Sequence, residues 1–130
     1  MAKKEVNEVK GNERVKPIIL RDTENGDVYT LEFDREAVKF AEFRGFDPDD
    51  VGKYPMTKFP EFFYYAFRMH HKNVSREKTD RIFFDELGGH TNLPDGFIER
   101  LFLLYSEPFN GTKDDDADAE VKNSKMTVEL

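Results

Sequence analysis

Three histidines and a scatter of carboxylates are the residues of this chain able to hold a metal or move a proton. His70 and His71 are adjacent, and His90 lies further along. On a helix, neighbouring residues point about 100° apart, so two adjacent histidines do not share one ion readily. Zinc sites on helices space their ligands i, i+4. No Asp or Glu stands three or four residues from either histidine. His70 therefore reads as the continuation of an apolar stripe. His71 reads as a helix end, where partial positive charge suits the dipole.

The other chemical candidates read in the same way. Asp47, Asp49 and Asp50 flank Pro48, the pattern of a helix start with acids in its first turn. The run from Asp114 to Asp118 lacks the glycine and the terminal glutamate of a calcium loop. There is no Gly-rich phosphate loop, and Gly88-Gly89 follows an apolar segment and ends it. There is no cysteine, and neither Ser75 nor Ser106 sits in a nucleophile elbow. The expectation is a non-enzyme without catalytic residues, cofactor or metal.

The elements that carry these residues are short. Pro17 to Leu20 and Val28 to Phe33 alternate as strands, with Asn25-Gly26 between them as a hairpin turn. Asp34 caps a helix expected over 35–44, and Gly45 stops it. Phe46 to Gly52 reads as a loop or a single helical turn. A helix is expected over 58–71, bracketed by Pro55 and Pro60 with Thr57 as its cap. Ser75 caps another over 76–87, which buries Ile82, Phe83 and Leu87. Asn92 or Asp95 starts the last, over 94–106, with Phe97, Ile98, Leu101, Leu104 and Tyr105 on its apolar stripe. The expected fold class is α+β, mainly α: an N-terminal β-hairpin packed on a bundle of three to four short helices. Residues 1–15 form a flexible segment, 16–109 one globular domain, and 110–130 an acidic disordered tail.

The aromatic content is concentrated. Phe supplies 13 residues and Trp none. Phe59, Phe62, Phe63, Ala66, Phe67 and His70 fall on one helical stripe, with Tyr64, Tyr65 and Met69 on a second side. A core of this size is not expected to cover them all, so part of the helix is expected to face a partner. Phe62, Tyr64, Tyr65, Phe67 and Met69 are the candidate partner-binding residues.

Charge narrows the partner. The net charge is −7, which argues against nucleic acid as a ligand. From Phe109 onward six acidic residues stand against three lysines, so that end carries −3. No apolar run reaches the roughly 18–20 residues of a membrane span. The charged N-terminus lacks the apolar core of a signal peptide. A soluble cytoplasmic protein follows as the expectation.

The order of elements resembles the tail assembly chaperones of long-tailed bacteriophages of Gram-positive hosts. The residues that carry the resemblance are a strand YTLEFD and a helix REAVKFAEFRGFD with Glu42 shortly before Gly45. A Pro-flanked helix FPEFFYYAFRMHHKNVS then ends in His70-His71, and a helix REKTDRIFFDELGG follows. The match covers about Val28 to Phe109. It implies a small, mainly helical protein of the host cytoplasm, absent from the mature virion. Such a protein binds the tape-measure protein, keeps it soluble and helps recruit tail-tube subunits, without enzymatic activity or cofactor. The resemblance also allows a longer form made by ribosomal frameshift as a partner, and a homo-oligomer remains open. The competing class is a small non-enzymatic phage adaptor, such as a head–tail joining protein, or a regulator. Arg76, Lys78 and Arg81 would serve a DNA-binding helix, but Glu77 and Asp80 dilute them. A low-salt DNA titration separates the classes, and a very long helical reading frame just downstream favours the chaperone.

Overall fold

A computed structural model describes residues 14–110, together with Met126 and Glu129. The acidic run and most of both terminal segments lie outside the described residues. Two antiparallel strands, β1 (Ile18–Arg21) and β2 (Val28–Leu31), form the sheet. Helices α1 (Arg35–Phe43), α2 (Asp49–Lys53), α3 (Pro55–Tyr65), α4 (Arg76–Arg81) and α5 (Phe97–Ser106) follow. The fold is α+β and mainly α.

Local chemistry explains most boundaries. Ile18 pairs with Leu31 and Leu20 with Tyr29. Gly26, at φ +82°, closes the hairpin by donating its N–H to the Asp22 carbonyl at 2.8 Å. One face, with Ile18, Leu31 and Phe33, is buried, while Ile19 and Val28 on the other are exposed. The Asp34 carboxylate accepts the Ala37 N–H at 2.8 Å, as the cap of α1. Gly45 ends that helix at φ +84°, a conformation costly to side chains with a Cβ. Ser75 caps α4 by accepting the Lys78 N–H at 3.1 Å.

Three boundaries differ from expectation. The aromatic helix spans 55–65, not 58–71. Pro60 sits inside it, and the hydrogen bond it cannot make is to Met56 on the exposed first turn. Its early end has a cause in the sheet. The Ala66 carbonyl, which would continue the helix, instead accepts the Glu32 N–H at 3.1 Å. Residues 66–70 consequently form tight turns. The segment after α4 widens into a π-helical turn, Ile82–Glu86, closed by Leu87 N–H to Ile82 O at 2.8 Å. The last helix is capped by neither Asn92 nor Asp95. Gly96, at φ +86°, precedes Phe97, and Asn92 donates to the Gly88 carbonyl at 2.7 Å. Val15, expected in the flexible segment, donates its N–H to Glu107 Oε2 at 2.9 Å.

The core is ring on ring. Phe62 lies 5.7 Å from Phe33, 5.3 Å from Phe46, 5.0 Å from Phe102 and 5.6 Å from Tyr105, between ring centroids. Phe63 contacts Phe67 and Phe83 in the same manner. Stacked and edge-on pairs of this kind add to the stabilisation from burial.

Candidate partner-binding surface

Ring packing overturns three of the candidate partner residues. Phe62, Tyr65 and Phe67 are buried in the core and cannot touch a partner as the chain is folded. The aromatic surplus is smaller than the sequence suggests because rings from α1, α5 and the 46–47 loop cover one another. Tyr64 and Met69 stay partly accessible. The Arg76 guanidinium stands 5.9 Å over the Tyr64 ring. Arg76 also pairs with Asp80 at 2.9 Å, which neutralises part of the basic trio of α4.

The free apolar surface lies on α1 instead. Ala37, Val38 and Ala41 face inward. Glu36, Phe40 and Phe43 follow at i, i+4 and i+7 on an outer stripe. Phe43 is 93% exposed, more than any other large apolar residue described. The stripe borders a groove of about 370 Å³ completed by Arg68, Met69 and Lys72 of the turn after α3. Phe40 lines it. Arg68 and Arg44 lie 4.0 and 4.7 Å from the Phe40 ring centroid, and the Tyr65 ring meets it edge-on at 5.9 Å. The Tyr65 hydroxyl donates to Glu61 Oε2 at 2.6 Å. Burial, and then the carboxylate that holds its proton, push the Tyr65 phenol well above its ordinary value. On the other side of α1, a smaller groove of about 190 Å³ is bounded by Val38, Glu42, Pro108 and Phe109. Arg35 ties this side down by donating to the Pro108 and Asn110 carbonyls at 3.1 and 3.2 Å. Burial, with Glu42 and Asp47 nearby, pushes the Tyr105 phenol up to about 12. Apolar patches rimmed by charge are the usual form of a protein-binding surface.

The histidines do structural work at the sheet edge. His71 Nε2 accepts the Thr30 N–H at 2.9 Å, which places the ring proton on Nδ1. Burial, followed by the neighbouring His70, holds its pKa below the ordinary imidazole value. His70 does not continue the core stripe. It points outward and meets Glu32 Oε1 at 2.8 Å. Together with the Ala66 carbonyl, these contacts seal the outer edge of β2. His90 is elsewhere, 5.0 Å from the Phe59 ring. Among the described residues no three His, Cys, Asp or Glu side chains lie together as a metal site. No described helix is long and apolar enough to cross a membrane.

A family model described as Domain of unknown function (DUF5055) matches residues 1–130. The chain belongs to that family. No curated protein and no solved structure matches it.

The exposed stripe was hidden from sequence reasoning because α1 is short and its apolar residues read as one core-facing side. The available signal was Phe43, a phenylalanine off the Ala37–Val38–Ala41 face.

Proposed function

We propose that this chain is a tail assembly chaperone of a long-tailed phage, acting in the host cytoplasm on the tape-measure protein. The observation that carries the reading is Phe43, fully presented beside the Phe40–Met69 groove on the helix that bears Glu42 and is stopped by Gly45. Those two residues belong to the pattern on which the resemblance rests. Gly45 stops α1 at φ +84°, two residues beyond Phe43. An amphipathic client helix laid along α1 would cover the ring and place its own charges against Lys39, Arg68 and Lys72. Helix-in-groove recognition works in this way. The unbranched thioether of Met69 gives the contact some tolerance to different client side chains. Recruitment of tail-tube subunits would follow once the client is held.

The client surface is therefore assigned to Phe43, Phe40 and Met69, with Tyr64 at the margin. Burying a ring that starts almost fully exposed contributes about 1.5–3 kcal/mol. Titration of helical tape-measure fragments into the purified protein tests the assignment. Phe43→Asp should weaken binding by roughly tenfold or more. Equal affinity of wild type and variant would remove the α1 surface from the account.

A further inference from the structure

Among the described residues, the sheet has one sealed edge and one open edge. Hydrogen bonding fixes which residues point each way. Thr30 and Glu32 direct their amides away from β1, to His71 and to Ala66. Tyr29 and Leu31 therefore face β1 and pair with Leu20 and Ile18. Asp22, the next even-numbered residue, continues the pattern by donating its N–H to the Asp27 carbonyl at 2.8 Å. It follows that Ile19 and Arg21 turn their N–H and C=O groups outward. Neither has a hydrogen-bond partner among the described residues. Ile19 is also 43% exposed. Glu107 closes the edge further back, at Val15, and the last helix runs close to β1. An open edge of this kind is a template for another strand.

Charge flanking β1 identifies the strand that fits. Lys16 precedes the strand and Asp22 follows it. Laid antiparallel on itself with Ile19 at the centre, the segment sets Lys16 opposite Asp22 of a second copy, whose Oδ1 also accepts the Glu24 and Asn25 amides of its own turn. The same register sets Ile18 opposite Leu20, and Pro17, which has no amide to donate, opposite Arg21. The Arg21 amide then meets the Pro17 carbonyl of the other copy, and the two Ile19 residues exchange amide and carbonyl. A parallel pairing in register would instead set like charges side by side.

We propose that two copies of this chain associate through β1, edge to edge about Ile19, and build a four-stranded antiparallel sheet. The contact is short, so association is weak and concentration-dependent. It is screened by salt because charge sets the register. It leaves the α1 surface free and does not rest on the client reading.

Cysteine cross-linking reads the register directly, since the chain has no thiol of its own. Hydrogen-bonded antiparallel partners have Cα atoms about 5.5 Å apart, within disulfide range. Ile19→Cys should therefore give a disulfide-linked dimer under mild oxidation. Val28→Cys, equally exposed but on β2, should stay monomeric, because its two copies would be separated by three strand spacings of nearly 5 Å each. Sedimentation of the wild-type chain should show mass rising with concentration, and Lys16→Glu should suppress that rise while its circular dichroism is unchanged. A single-chain mass at every concentration overturns the proposal and leaves the edge to water or to the N-terminal residues. So does equal cross-linking of the two cysteine variants, or a dimer indifferent to Lys16→Glu.

Discussion

Replacing His71 by Phe separates the two jobs of this side chain. The variant keeps a ring against Tyr29 and Phe67, whose centroids lie 5.4 and 6.1 Å away. It removes the Nε2 acceptor and strands the partly buried Thr30 N–H. An unsatisfied donor costs about 1–3 kcal/mol, and water reaching this half-exposed site brings the expectation to about 1–2 kcal/mol. With a urea slope of about 1–1.5 kcal/mol/M for a small domain, the midpoint should fall by roughly 1 M. The pH arm has a definite sign. Burial lowers the His71 pKa in the folded state, so the unfolded chain binds more protons as pH falls below about 6.5. The contribution of His71 is fully present above that value and is lost as pH falls toward the folded pKa. One proton sets an upper limit of about 1.4 kcal/mol per pH unit, and partial exposure reduces it. Urea unfolding of both proteins from neutral to mildly acid pH measures the difference, in which titration of other groups cancels. A variant as stable as wild type, with the same acid slope, would refute the edge-sealing role of His71.

Three further outcomes follow from the packing. Phe63→Ala should cost about 3–5 kcal/mol by denaturant unfolding because the ring is fully buried, whereas Tyr64→Ala should cost less than half of that. Asp34→Ala should lose about 1 kcal/mol as the cap of α1, again by unfolding midpoint, while Asp34→Ser should recover most of it. Phe43→Asp should leave the thermal midpoint within a few degrees of wild type, since the ring touches little in the free chain.

Much of the fold was legible in the residues. Asp34, Gly45 and Ser75 cap or stop helices through chemistry local to a few residues, and the hairpin follows from alternation around Asn25-Gly26. What stayed hidden depends on distant partners. The end of α3 is set by a β2 amide reaching the Ala66 carbonyl, and sequence periodicity through His70 gives no sign of that. The role of His71 as an acceptor for Thr30 spans 41 residues and has no local signature. The candidate surface was misplaced for a related reason. A count of aromatics against core size does not show how well Phe33, Phe46, Phe62 and Tyr105 cover one another, nor that Phe62, Tyr65 and Phe67 are buried. Tyr64 and Met69 remained accessible, and Phe43 emerged only once α1 had a defined inner face.

The central claim is that this chain holds a tape-measure protein in solution through α1. Co-expression with a phage tape-measure protein, the proposed client, followed by measurement of its soluble fraction, tests that claim most directly. The account predicts a largely soluble tape-measure protein with the wild-type chain and a largely insoluble one with Phe43→Asp, at equal levels of the folded chain. A tape-measure protein that stays insoluble beside the wild-type chain would contradict the account.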